Sequence, residues 1–83
     1  MYYVYLIVSK KNNRIKSYVG YTNNLPNRIK AHNLGKGAKS TRGRNWKIVF
    51  KKKFKKKSLA MKYEYFLKNN QKLRKIIKED YAV

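Results

Sequence analysis

The chain has no cysteine and only three acidic residues among its 83 positions, against 23 lysines and arginines. Without cysteine, the fold cannot rest on disulfide bonds or on a thiolate metal site. With so few acids, an active site that holds two metal ions in a cluster of carboxylates cannot be assembled. The formal net charge of +20 requires a polyanionic partner, either nucleic acid or an anionic membrane surface.

Long apolar runs are also absent. The longest, Val4 to Val8, is far shorter than the roughly 20 residues that span a bilayer, and the N-terminal sequence lacks the features of a signal peptide. No segment combines an all-lysine face with a wide apolar face, as a helix lying on a membrane does. We therefore expect a soluble cytoplasmic protein that binds nucleic acid rather than a membrane.

Proline and glycine are scarce, and some of them mark the ends of a short helix. Asn24 can cap this helix, Pro26, the only proline, suits its first turn, and Gly35 can end it. Arg28 and His32 are four residues apart, so they should project from one helix face. A chain of this length predicts one small domain, over residues 1–83.

The remaining pattern predicts an α+β fold in the order ββαβαα. Residues 2–8 and 15–22 are rich in β-branched and aromatic side chains, and Trp46 to Phe54 alternates apolar and charged residues. Two amphipathic helices follow. The prediction is a three-stranded antiparallel sheet flanked by helices.

Strand alternation also predicts which side chains share a face of the sheet. If the first hairpin has a loop of four residues, Tyr5 lies opposite Tyr18 and the two phenols stand side by side. In the third strand, alternation places Trp46, Ile48 and Phe50 on one face.

Glu64 is the first acidic residue along the chain. On its predicted helix, Ala60 and Leu67 share its stripe, so we expect its carboxylate to point inward. The alternative is an ordinary surface ion pair with Lys68, four residues later.

Two triplets carry a resemblance to a known family. Tyr3-Val4-Tyr5, followed after a hairpin by Tyr18-Val19-Gly20, resembles the paired signature of the GIY-YIG nuclease superfamily. Tyr3 departs from the first triplet, where the family has glycine. The chain is most similar to the small UPF0213 group. The resemblance continues through Arg28, His32, the basic loop that follows Gly35, and the helix that carries Glu64.

The resemblance implies metal-dependent cleavage of phosphodiester bonds, with one divalent cation, Mg²⁺ or Mn²⁺, held by Glu64. It also implies that Tyr5 or Tyr18 activates the attacking water and that Arg28 binds the scissile phosphate. His32 lies where some members have an active-site histidine. These roles suit the residue types, because a guanidinium neutralises phosphate charge and Mg²⁺ needs few protein ligands.

The general base is the weakest part of this scheme. A phenol has a reference pKa of about 10. A tyrosine therefore accepts a proton near neutrality only if Arg28 or the metal stabilises the phenolate, or if it acts transiently in the transition state.

Two functions fit these observations. The first is an endonuclease acting on DNA, or on RNA, with little sequence specificity; the alternative is a non-catalytic basic module that binds nucleic acid, with or without a partner protein. In both cases we expect a monomer or a weak homodimer. Phosphate contacts are expected from basic residues of the loop and of the Glu64 helix, namely Lys36, Lys39, Arg42, Arg44 and Lys68.

Overall fold

A computed structural model describes the backbone of residues 1–82 and the side chains of residues 1–80. The fold is α+β in the predicted order ββαβαα, with one additional short 3₁₀ helix in the basic loop. In chain order the elements are β1 (Tyr2–Lys11), β2 (Arg14–Thr22), α1 (Leu25–Asn33), the 3₁₀ helix (Lys39–Thr41), β3 (Lys47–Phe54), α2 (Lys57–Lys68) and α3 (Gln71–Ala82).

The three strands form an antiparallel sheet in the order β2-β1-β3. Helix α1 packs on the face that carries Tyr5 and Ile7, here called the α1 face. Helix α2 packs on the opposite face, which carries Val4 and Leu6 and is called the α2 face. Because both faces are covered, the central strand is buried throughout Val4 to Val8, which explains its continuous apolar sequence.

The hairpin turn is tighter than predicted. Asn12 and Asn13 form a two-residue turn with φ of 53° and 64°, the left-handed backbone that two-residue hairpins require. Tyr5 therefore pairs with Gly20, and the prediction that it lies opposite Tyr18 is wrong. Since the register differs by two residues, Tyr18 still lies on the α1 face, diagonal to Tyr5.

The predicted alternation in β3 is also wrong. Leu6 pairs with Phe50 but the next residue, Ile7, pairs with Ile48, which leaves Val49 as the extra residue of a β-bulge. The bulge inverts the side-chain pattern at this point. Phe50 consequently packs on the α2 face, while Ile48 lies on the α1 face.

The predicted limits of α1 are confirmed. The side chain of Asn24 accepts a hydrogen bond from the backbone N–H of Asn27 at 3.3 Å, and Pro26 lies in the first turn. Gly35 follows the helix with φ of +76°, a conformation that glycine adopts without strain.

Helix α2 buries Ala60 and Leu67 against the α2 face, and α3 adds Leu73 and Ile77 at the edge of the same cluster. Over residues 1–82, none of the helices combines the length and the apolar character needed to cross a membrane.

Candidate active site

Tyr5 is the centre of the polar cluster on the α1 face and is only 1% exposed. Its ring crosses the neighbouring strand directly over Gly20. A Cβ atom at Gly20 would lie 2.5 Å from the Tyr5 hydroxyl and 2.8 Å from the ring carbon that bears it. Glycine is therefore required at this position for the phenol to reach α1.

Four hydrogen bonds run through this cluster in an unbroken chain. Arg28 Nε donates to the Tyr5 hydroxyl at 3.3 Å, and that hydroxyl lies 2.8 Å from His32 Nε2. His32 Nδ1 lies 3.0 Å from Thr41 Oγ1, which donates to the carbonyl of Ala38 at 2.8 Å. Both His32 and Thr41 are fully buried.

The terminal carbonyl determines the direction of the chain. A carbonyl only accepts, so the Thr41 hydroxyl donates its single hydrogen bond to the carbonyl of Ala38. It must therefore accept a hydrogen bond from His32 Nδ1–H. A neutral imidazole has a single N–H, so Nε2 is the acceptor and the Tyr5 hydroxyl donates to it. The proton of Tyr5 is therefore directed at His32.

The pKa shifts agree with this arrangement. Burial lowers the pKa of His32 from its ordinary value of 6.5, and the charge of Arg28 lowers it further. Burial also raises the pKa of Tyr5, and this effect outweighs the opposing effects of the hydrogen bond from Arg28 and of its charge. Of the routes left open from sequence, a phenolate stabilised by Arg28 alone is disfavoured, because desolvation outweighs the guanidinium.

Tyr18 completes the group. Its ring centroid lies 4.9 Å from that of His32 and 6.4 Å from that of Tyr5. Hydrogen bonding to Tyr5 raises the pKa of Arg28, and Tyr18 makes a smaller contribution of the same sign. Tyr5, Tyr18, Arg28 and His32, here called the candidate cluster, therefore meet around one small volume as the sequence predicted.

Glu64 lies on α2, the helix that packs on the α2 face of the sheet. Its side chain is only 19% exposed, and its carboxylate lies 3.8 Å from the ammonium of Lys68, whose side chain is 60% exposed. Its negative charge makes the smallest contribution to the raised pKa of Tyr5, after burial and the effects of Arg28 and Tyr18. The shielded position and the Lys68 ion pair, considered as alternatives from sequence, occur together.

The donor set of Glu64 suits a hard cation. Within the part of the chain that the structure describes, no three His, Cys, Asp or Glu residues lie close enough together to hold a metal ion. A structural zinc site, which needs four protein ligands, does not fit. One carboxylate fits Mg²⁺ or Mn²⁺, because such ions complete their coordination with water and with substrate oxygens.

The basic loop between α1 and β3 is held in place by hydrogen bonds that sequence patterns did not reveal. The Trp46 indole donates to the carbonyl of Thr41 at 2.8 Å, and the Asn33 side chain bonds both the N–H and the carbonyl of Trp46. A Cβ atom at Gly37 would overlap the His32 imidazole, so glycine lets the loop close over that ring. A threonine in a polar loop and an asparagine in the last turn of a helix give no periodic signal, which is why these roles were missed.

The cations predicted to bind nucleic acid differ in exposure. Arg44 is half-buried, and its guanidinium donates to the carbonyls of Ser9 and Arg14, so it ties the basic loop to the hairpin. The other four are exposed: Lys36, Lys39, Arg42 and Lys68.

Comparison with known proteins shows the family of this chain. The sequence profile described as the GIY-YIG catalytic domain matches residues 1–76, which is most of the chain and includes the whole candidate cluster and Glu64. The match defines a domain of the GIY-YIG class.

More specific similarities are found among UPF0213 proteins. One from Clostridium perfringens is 47% identical, with 96% of this chain and 91% of that protein covered. One from Oceanobacillus iheyensis is 42% identical, with 90% and 85% covered. A solution NMR structure of a UPF0213 protein from Bacillus halodurans is 36% identical, covers 94% of this chain and 84% of that one, and has a TM-score of 0.49. The chain belongs to the UPF0213 group of the GIY-YIG family.

Proposed function

We propose that the protein is a metal-dependent endonuclease that hydrolyses phosphodiester bonds in DNA, or in RNA, with little sequence specificity. Membership of the GIY-YIG catalytic domain family supports the class of reaction. The observation that carries the proposal is the Tyr5 hydroxyl, which is held between Arg28 and His32 with its proton directed at the imidazole.

This geometry supports a concerted movement of two protons. Burial disfavours the phenolate, so Tyr5 can take a proton from an attacking water only as its own proton passes to His32 Nε2. Thr41 keeps the other imidazole proton on Nδ1, so Nε2 is available as the acceptor. Because burial lowers the pKa of His32, the imidazolium formed in this step readily gives up its proton afterwards.

Two further side chains would stabilise the charge of the reacting phosphate. Arg28 is a fixed cation at the edge of the cluster, and its planar guanidinium can neutralise charge that builds on the non-bridging oxygens. Glu64 would hold Mg²⁺ or Mn²⁺, which when bound supplies Lewis-acid stabilisation to phosphate oxygens. The exposed cations Lys36, Lys39 and Arg42 would bind flanking phosphates, which carry no sequence information.

The test is cleavage of single-stranded, branched and duplex substrates with Mg²⁺ or Mn²⁺ at low salt. We expect Tyr5→Phe to reduce the rate by about 10² or more, since it removes the proton acceptor. Arg28→Ala should cost a similar factor through lost charge stabilisation. Glu64→Ala should abolish metal-dependent cleavage while binding of the substrate persists.

Matched controls are available on α1 for Arg28 and on α3 for Glu64. Lys30→Ala removes a positive charge from an exposed position on α1, and Glu79→Ala removes a negative charge from an exposed position on α3. Both should cleave like the parent protein. If no substrate is cut with either metal, or if the Glu64 and Glu79 variants behave alike, the proposal is wrong.

A non-catalytic nucleic-acid-binding module is the second candidate. The exposed cations of the basic loop favour it, because they need neither Glu64 nor a metal to bind phosphates. It predicts strong salt-sensitive binding in the presence of a chelator, unchanged by Glu64→Ala, with no cleavage of any substrate.

A further inference from the structure

A pocket of about 270 Å³ lies beside the candidate cluster and has no part in the chemistry described above. Its walls are Tyr3, Leu25, Pro26, Ile48 and Lys51. Four of these five side chains are apolar or aromatic and one is a cation. The volume is slightly below the range of about 300 to 1,000 Å³ that is common for drug-sized ligands, so the pocket suits a single ring system.

The register of the sheet places this pocket next to Tyr5. Tyr3 precedes Tyr5 by two residues, so the two side chains share the α1 face about 7 Å apart. Lys51 pairs directly with Tyr5 across β1 and β3. Pro26 lies two residues before Arg28 on α1. A nucleotide whose phosphate lies at Arg28 could therefore place its base in the pocket.

The β-bulge contributes to the shape of this pocket. It places Ile48 on the α1 face, where the side chain is 37% exposed although it is apolar. With Tyr3 and Pro26, this residue provides apolar surface against which a planar ring can pack.

Charge favours a nucleic-acid occupant over an apolar peptide. Lys51 is part of the wall, and Lys53, which pairs with Tyr3, is the next residue of β3 on the same face. No acidic side chain lines the pocket. An apolar ring joined to an anionic backbone is complementary to this combination of apolar walls and cations.

We propose that this pocket binds one unpaired nucleobase of the strand held at the candidate cluster, stacked against Tyr3 with its neighbouring phosphate on Lys51. The inference rests on the proposed function only in taking nucleic acid as the substrate. A base inside a duplex cannot enter the pocket without leaving its stack, so the protein should favour a strand that has an unpaired base next to the cleaved bond.

The test measures binding without catalysis. Oligonucleotides that carry one fluorescent purine analogue are titrated with the protein in the presence of a chelator, so that no strand is cut. Stacking in the pocket should quench the analogue. Tyr3→Ala should lose this quenching and bind about 5-fold or more weakly, whereas Tyr3→Phe, which keeps the ring, should retain both.

Two further variants guard against misfolding and against stacking elsewhere. Ile48→Trp fills the pocket from an edge strand without creating a cavity and should also lose the quenching. Tyr65→Ala removes a ring that is 70% exposed on α2 and should leave the quenching intact. If quenching survives Tyr3→Ala and Ile48→Trp, or disappears in Tyr65→Ala alone, the pocket is not a base site.

The readout separates the two proposals. Quenching that depends on Tyr3, in a protein that cuts nothing, would support the pocket and overturn the nuclease. Cleavage without quenching that depends on Tyr3 would support the nuclease and overturn the pocket.

Discussion

At the scale of single residues, the central feature of the site is the Tyr5 hydroxyl and its two hydrogen-bond partners, His32 and Arg28. It donates to His32 and accepts from Arg28, and burial excludes most of the water that could compete. Thr41 never touches this hydroxyl, yet it decides which nitrogen of His32 can receive the proton. Thr41 is therefore a positioning residue in the proposed reaction.

Replacing Thr41 by valine tests this role. Thr41→Val keeps the shape but leaves the buried His32 Nδ1–H without an acceptor, which should cost about 1 to 3 kcal/mol in the free energy of unfolding. The imidazole is then free to carry its proton on Nε2, so cleavage should fall about 10-fold or more. Urea denaturation and cleavage rates measure the two effects. Thr41→Ser keeps the hydroxyl and should restore both; a Ser variant as impaired as Val would contradict the assignment.

The buried histidine also predicts how stability depends on pH. The folded pKa of His32 lies below its ordinary value of 6.5, so the unfolded chain takes up the proton first as the pH falls. This contribution to stability is complete above pH 6.5 and decreases as the pH falls toward the folded pKa. Denaturation between about pH 7.5 and about pH 5 should show a loss that is smaller in His32→Gln. A parent protein that becomes more stable as the pH falls through that interval would contradict a neutral buried His32.

At the scale of elements, two local irregularities set the faces of the sheet. The two-residue turn aligns Tyr5 with Gly20, the position that has room for its ring. The bulge in β3 separates Ile48 from Phe50 and so forms one wall of the pocket. Neither feature follows from the apolar pattern of the strands, since both depend on how two strands are matched.

The turn yields a prediction about stability. Asn13 has φ of 64°, so Asn13→Ala should destabilise the hairpin by about 1 kcal/mol, whereas Asn13→Gly should be neutral or slightly stabilising. The midpoint of urea denaturation reports the difference. Equal midpoints for the alanine and glycine variants would show that the turn is not left-handed at this residue.

At the scale of the whole molecule, charge is the dominant property. A net charge of +20 on 83 residues creates a positive field that attracts nucleic acid at long range. The three acids are Glu64, which is largely shielded, and the exposed pair Glu79 and Asp80 on α3. The N-terminal part of the chain, with the sheet, α1 and the basic loop, is therefore free of acidic side chains.

Salt dependence tests which cations contact the strand. Each phosphate contact steepens the fall of log affinity with log salt by about 0.9. Lys36→Ala, Lys39→Ala and Arg42→Ala should each reduce that slope by about 1 without altering sequence preference. Lys72→Ala, at an exposed position on α3, is the matched control and should leave the slope unchanged. Equal slopes in all four variants would place the binding face elsewhere.

The sequence by itself determined the order of the elements, the limits of α1 and the residue types that meet at the site. These features are local. Asn24, Pro26 and Gly35 act within one turn of an end of the helix, and the spacing of apolar residues that distinguishes strands from helices is visible over a few neighbouring positions. The resemblance to the family singled out Tyr5 and Tyr18 as candidate site residues.

Only the tertiary structure decided the hairpin register, the bulge, the balance of effects on Tyr5 and the tautomer of His32. Each depends on groups far apart in sequence, as where Thr41, nine residues after His32, orients the imidazole. Burial is likewise a property of the packed chain, and it reverses the effect expected from Arg28 alone. The residue types determine which interactions are available. Which of these interactions form, and how strongly burial shifts each pKa, is decided only in the folded chain, because hydrogen bonds are directional and desolvation depends on every neighbouring group.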